Sequence, residues 1–183
     1  MPVPNLQPDN AIHWFSEPGD HGSLIDPLLL ECLTDTGLLT ARLRRQCGDN
    51  FRLQVIEESL ARPGIHQNEL RRIVLWCGNR ASIYAETIIP RNAAEKLPWL
   101  RELGSVPLGE ALQYRPDVSR GKFEYARIKP AQLPADLPAP IDGDLWARRS
   151  EFHVGDTSLL VTEIFLPGVL DCTTPDAQAA EKN

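Results

Sequence analysis

Nine residues near the C-terminal end, Leu159-Leu160-Val161-Thr162-Glu163-Ile164-Phe165-Leu166-Pro167, limit the possible folds more than any other part of this chain. Read with a period of two, Glu163 shares a face with Leu159, Val161 and Phe165, while Leu160, Thr162, Ile164 and Leu166 line the other. Both faces are largely apolar, so the run predicts a buried strand carrying one carboxylate. A carboxylate removed from water either loses its charge or finds a partner. That partner is an arginine of the protein or a ligand, and the strand alone does not choose between them.

The rest of the chain supplies partners for such a strand. Phe51, Leu53 and Val55 alternate with Arg52 and Gln54. Leu70 to Cys77 and Ile83 to Ile89 are β-rich runs around Gly78-Asn79-Arg80, a hairpin signal. Lys122 to Ile128 and Leu145 to Val154 predict two more strands, the second turning through Gly155-Asp156 into the Glu163 run. Helices are predicted from Asp26-Pro27 through Leu33, over Thr36 to Cys47, over Arg91 to Leu103 with a break at Pro98, and at Pro107 to Leu112. Hairpin-linked strands with helices at the front and middle indicate an α+β domain: one antiparallel sheet carrying its helices on one side. Residues 1–23 read as an extended N-terminal arm, 24–168 as the domain, and 169–183 as a polar, disordered tail. The proline-rich stretch 130–140 reads as a stiff surface connection, with a partner-binding polyproline segment as the alternative.

Composition narrows the function classes. At 183 residues and a net charge of −6, the chain can bury a full core but offers no general nucleic-acid surface. Met1-Pro2-Val3-Pro4-Asn5 lacks the basic and apolar regions of a secretory signal, and no apolar run approaches a membrane span, so a cytoplasmic protein without stable membrane insertion is expected. Cys32, Cys47, Cys77 and Cys172 form no Cys-x-x-Cys pair, which predicts neither a zinc site nor a disulfide scaffold. His13, His21, His66 and His153 show no metal-ligand spacing. Metal-free chemistry without a cofactor is the working expectation.

The familiar catalytic signatures are missing: no Gly-x-Ser-x-Gly elbow, no phosphate loop and no His-Glu-x-x-His. What stands out is charge on apolar strand faces. Arg71 shares a face with Ile73, Leu75 and Cys77. Arg148 shares one with Trp146, Phe152 and Val154, while Arg149 alternates with Glu151 and His153. An arginine so placed pairs with a buried carboxylate or receives an anionic ligand. An Arg71–Glu163 salt bridge would satisfy both residues.

Five segments also resemble the chorismate pyruvate-lyase family in order and spacing: Leu70-Arg71-Arg72-Ile73-Val74-Leu75, Thr87-Ile88-Ile89-Pro90, Leu103-Gly104-Ser105-Val106-Pro107-Leu108-Gly109, Leu145-Trp146-Ala147-Arg148-Arg149-Ser150 and Leu160 to Pro167. The resemblance implies a cofactor-independent lyase that converts chorismate to 4-hydroxybenzoate and pyruvate, the entry to ubiquinone synthesis, in a fold whose helices flap over a buried ligand. It also implies a ring-carboxylate arginine at Arg71, supporting backbone amides at Leu39 and Leu108, and a glutamate at Glu163 that meets the ring hydroxyl. Apolar walls would strengthen both contacts. For the enolpyruvyl carboxylate the strand face suggests Arg148, with Arg149 as fallback.

The chain departs from the family pattern at two places. Glu86 stands where many relatives carry an arginine, which would weaken anion binding if it faced the substrate. Leu38 replaces a serine, which a backbone donor at Leu39 tolerates. The expected partners are chorismate and 4-hydroxybenzoate, and the expected state is a monomer. The rival class is a non-catalytic effector-binding domain of the same fold, although the roughly 23 residues before the first helix are too few for the winged helix of such regulators. A lyase forming a different hydroxybenzoate is the third reading.

Overall fold

Two glycines set the longest strands. Gly78 (φ 60°) and Gly155 (φ 57°) take backbone conformations that L side chains resist, and each closes a tight hairpin. In the computed structural model, residues 12–22, 24–59, 68–135, 137–138 and 141–171 are described. Within them the strands are β1 (Phe51–Ser59), β2 (Asn68–Cys77), β3 (Arg80–Pro90), β4 (Val118–Arg120), β5 (Glu124–Ile128), β6 (Leu145–Val154) and β7 (Thr157–Phe165). They form one seven-stranded sheet in the order β1-β2-β3-β7-β6-β4, with β5 also paired to β6. Every pairing is antiparallel.

The helices are α1 (Pro27–Thr34), α2 (Leu39–Cys47), α3 (Arg91–Lys96), α4 (Leu108–Gln113) and α5 (Gly168–Asp171). The start of α1 is well specified. Pro27 occupies the first turn, and the Asp26 carboxylate accepts the amides of Leu28 and Leu29 at 2.9 and 3.3 Å. Pro98 stops the expected helix from Arg91 to Leu103, leaving α3 and a 3₁₀ turn over Pro98–Glu102.

The helices share one face of the sheet. Cys32, Leu33, Leu39 and Leu43 pack with Leu75, Ile83, Trp146 and Phe165, while Ala93, Leu100, Leu108 and Leu112 pack with Phe152, Leu159 and Val161. These strand residues lie on the same face of the sheet as Glu163, so the predicted alternation is the one the fold uses. The opposite face is covered without helices. Ile12 and Trp14 lie against it, as do Leu133, Leu137 and Ile141, around Val74, Tyr84, Ala147 and Ile164. The proline-rich segment therefore contributes apolar side chains to the back of the sheet.

Two expectations need amendment, and a third gains detail. Cys47, the last residue of α2, is disulfide-bonded to Cys77, the last of β2, with Cα atoms 5.4 Å apart. A spacing of 30 residues gives no hint of this; the pairing of Phe51 with Cys77 in the sheet brings the two together. The expected tail begins instead with α5, whose Val169 is buried against the core. Residues 12–22, read as part of the extended arm, are tied to the sheet, since Phe15 bridges to Tyr125 through both backbone hydrogen bonds. The expectations for residues 1–11 and 172–183 fall outside the described residues.

Candidate active site

Glu163 lies directly opposite Arg148 in the β6–β7 ladder, and Arg148 Nε donates to Glu163 Oε2 at 2.7 Å. The protein partner of Glu163 is thus Arg148, not the Arg71 that strand alternation left open as an alternative. Arg148 is fully buried, and its Nη1 reaches across to the end of α1, donating to the carbonyls of Cys32 (3.2 Å), Leu33 (3.0 Å) and Asp35 (2.6 Å). These are carbonyls that a helix end leaves without intrahelical donors. Arg148 is therefore a brace between the sheet and the helical cover, and it lines no part of the cavity described next. Arg149, on the opposite face, pairs with Glu124 at 2.7 Å and lies over Trp14. Neither is placed to meet a ligand there.

A cavity of about 50 Å³ lies between the sheet and the starts of α2 and α4. Ile73, Leu75, Ala85, Thr87, Phe152 and Val161 form its floor. Leu38, Leu39, Thr40, Pro107, Leu108 and Gly109 cover it, and Glu163 and Arg120 supply its charges. That volume holds a few water-sized molecules and is below the range of an open small-molecule site, so a ring-sized ligand requires the cover to move outward. The cover is closely fitted. A Cβ on Gly109 would stand 2.9 Å from Leu38 Cδ2.

Leu39 and Leu108 are the first residues of α2 and α4, and neither helix has a side-chain cap, so their amides have no intrahelical acceptor. Both residues line the cavity. Arg71 lies one alternation beyond Ile73, facing Thr87 across β2–β3, and is buried. It does not line the closed cavity. Its Nη2 donates to the carbonyls of Gly104 (2.7 Å) and Val106 (3.1 Å), fixing the loop that enters α4.

The departure at Glu86 is accounted for by pairing on the other face. Its Oε2 accepts from Arg72 Nε at 2.9 Å, and Arg72 Nη1 also reaches Glu57 at 2.8 Å. Ala85 and Thr87, its neighbours in β3, face the cavity; Glu86 does not.

Arg120 was not legible as a site residue. It ends the three-residue β4, too short for alternation to reveal a face. Its Nε donates to Ser150 Oγ at 2.8 Å, and its guanidinium lies over Phe123 and Phe152 with centroid distances of 4.2 and 4.6 Å. Nη2 stands 3.6 Å from Glu163 Oε2, an ion pair looser than that of Arg148. Burial pulls the Arg120 guanidinium down to about 10, despite the opposing influence of Glu163. The turn between α1 and α2 is tied separately: Asp35 accepts from the Gly37 amide at 2.8 Å and from Arg42 at 3.2 Å. Although burial works the other way, these bonds hold the Asp35 carboxyl below its ordinary range.

Among the described residues, no group of three or more histidine, cysteine, aspartate or glutamate side chains is arranged to hold a metal. No described helix is long and apolar enough to cross a membrane.

The fold is an α+β domain whose antiparallel sheet carries, on its helix-covered face, a small apolar cavity lined by Glu163 and Arg120. The comparisons resolve its family. The family model described as chorismate lyase matches residues 9–173. A protein of Cupriavidus pinatubonensis named probable chorismate pyruvate-lyase is 36% identical over 80% of this chain and 84% of its own length. One of the same name from Shewanella frigidimarina is 32% identical over 88% and 91%, and one from Halorhodospira halophila 35% over 77% and 82%. The chain belongs to the chorismate lyase family and is a lyase.

Proposed function

We propose that this protein is a chorismate pyruvate-lyase, forming 4-hydroxybenzoate and pyruvate at the entry to ubiquinone synthesis. The supporting observation is the opposition of charge across one apolar cavity. Glu163 stands on the β7 floor, while the uncapped starts of α2 and α4, with Arg71 behind the loop into α4, present donors. In this reading the ring carboxylate takes the Leu39 and Leu108 amides together with Arg71, whose bonds to Gly104 and Val106 rearrange as the cover opens. Glu163 accepts the hydrogen bond of the ring hydroxyl through Oε1, since both of its arginine contacts fall on Oε2.

The bond between the ring and the ether oxygen breaks. The three-carbon group leaves as enolpyruvate, which takes up a proton to become pyruvate, and the ring loses the hydrogen on its hydroxyl-bearing carbon. Aromatisation supplies the driving force, so the residues' work is to orient the ether and to exclude water. Catalysis needs no cofactor in this reading, and a cytoplasmic monomer is part of the same proposal.

The test is to incubate the purified protein with chorismate in the presence of a metal chelator and to quantify pyruvate and 4-hydroxybenzoate together. Equal amounts of the two are expected. Arg71→Ala should lower kcat/KM at least tenfold while the chain stays folded. Tight 4-hydroxybenzoate binding without pyruvate release would overturn the catalytic reading, and a different hydroxybenzoate would overturn the assigned product.

A further inference from the structure

We propose that Arg120 binds the second carboxylate of the substrate, that of the departing three-carbon group, and holds that group at an opening between two cavities. The inference rests on the lyase reading above and adds a residue that the family resemblance did not supply.

Four observations lead to it. Arg120 is the single basic residue among those lining the inner cavity. It also lines an outer cleft of about 590 Å³, formed with Ser16, Glu17, Thr36, Lys122, Phe123 and Tyr125. Its side chain thus forms part of the boundary of both spaces. Second, the charges do not balance. Glu163 carries one negative charge, whereas Arg148 and Arg120 bring two positive ones to it, at 2.7 and 3.6 Å. Arg148 is the close partner of Glu163, and the next carboxylate, Asp35, is engaged by Arg42, so the charge of Arg120 has no carboxylate within hydrogen-bond distance among the described residues. Such a charge favours an anion beside it.

Third, the donors that suit a carboxylate are open. Among the described residues, Arg120 makes its hydrogen bond through Nε, to Ser150, and the contact from Nη2 to Glu163 exceeds hydrogen-bond length. Fourth, the guanidinium is already oriented. Phe123 and Phe152 flank it at 4.2 and 4.6 Å, and Ser150 fixes its edge, so little rotational freedom is lost when a carboxylate binds.

Arg148 lines neither space, its Nε and Nη1 are engaged by Glu163 and three carbonyls of the α1 end, and its Nη2 is buried without a partner. Substrate and product differ in the feature that Arg120 would read. Chorismate has two carboxylates and 4-hydroxybenzoate has one. A residue at the ring-carboxylate end binds both molecules alike; one at the departing end tells them apart.

The experiment compares the unaltered protein with Arg120→Met and Arg120→Lys. It measures KM and kcat for chorismate, the dissociation constant for 4-hydroxybenzoate, and urea unfolding of each variant. Losing a charged hydrogen-bond donor should raise the chorismate KM about 10- to 100-fold in Arg120→Met. Affinity for 4-hydroxybenzoate should change by less than about threefold on the same argument, and Arg120→Lys should recover part of the loss. Equal losses for both ligands, or an unchanged KM in a folded variant, would overturn the assignment. If the unaltered protein binds chorismate but releases no pyruvate, the lyase reading fails by itself. The same comparison then runs on dissociation constants, and a selective loss of chorismate binding in Arg120→Met still supports the Arg120 site.

Discussion

Arg148 and Glu163 face each other across neighbouring strands, 2.7 Å apart, and the same guanidinium holds three carbonyls at the end of α1. One side chain therefore sets the orientation of the site glutamate and the seating of the helix above it. Replacing Arg148 by Met would leave a half-buried carboxylate with only the looser Arg120 contact and would release the α1 carbonyls. A loss of roughly 3–5 kcal/mol is expected, measured by urea unfolding. Glu163→Gln should remain folded, because an amide oxygen can still accept from Arg148, yet should lose at least tenfold in chorismate turnover. A Gln variant with full activity would remove Glu163 from the proposed chemistry.

Acid should loosen the α1–α2 turn before the sheet. The folded Asp35 carboxyl sits below its unfolded value of about 3.9, so it contributes stability that is complete above that value and disappears as pH falls through the folded one. Asp35→Asn retains an acceptor for Gly37 but not the ion pair with Arg42. Amide exchange in residues 35–42 should become faster in the unaltered protein below about pH 4, and should be fast at all pH values in the variant. Exchange that is equally slow in both at neutral pH would show that Asp35 does not hold the turn.

Two glycines should respond differently to the same added methyl group. At Gly109 the obstacle is Leu38 Cδ2, the end of a flexible side chain, and Ala favours helix over Gly by up to about 1 kcal/mol. Gly109→Ala should therefore be near neutral in stability, while the bulkier Gly109→Val pushes the two halves of the cover apart and speeds 4-hydroxybenzoate release. At Gly168 the obstacle is the backbone carbonyl of Ala81, with its carbon at 3.0 Å, which cannot turn aside. Gly168→Ala should cost about 1–3 kcal/mol by thermal unfolding.

The disulfide closes a loop of 30 residues that contains β1 and most of β2. Chain-entropy arguments assign such a link about 3–4 kcal/mol. Cys77→Ser should lose about that much at equilibrium in urea, and a reductant should have the same effect on the unaltered protein and none on the variant. Stability indifferent to both changes would mean that the bond carries no constraint.

Much of the sheet was legible because its signals are local. Period-two alternation marked β1, β5, β6 and β7, β-rich composition marked β2 and β3, and glycine at the two hairpins marked where they turn. The same alternation put Arg148 and Glu163 on the faces they occupy. It could not identify their partners, since which arginine meets Glu163 depends on strand order: β7 lies between β3 and β6, and Arg71 stands on β2, beyond β3. Arg120 was hidden for another reason. It lies on a three-residue strand whose burial comes from Phe123, Phe152 and Glu163, all supplied by other segments. Cys47 and Cys77 were similarly invisible, because a disulfide depends on proximity that spacing does not encode. The helix starts at Leu39 and Leu108 acquired their place from the family resemblance, and their lack of side-chain caps is a structural finding.

The Cys47–Cys77 bond also determines how the cover can travel. It ties one end of α2 to the sheet, whereas the other end, at Leu38 and Leu39, carries no such link. From Cys47 to Leu39 the helix spans about 12 Å, so a swing of about 20° lifts the tip by about 4 Å. That clearance is close to the thickness of an aromatic ring. A pivot at that bond would part the cover first at the seam of Leu38 and Gly109, the far end of the same helix.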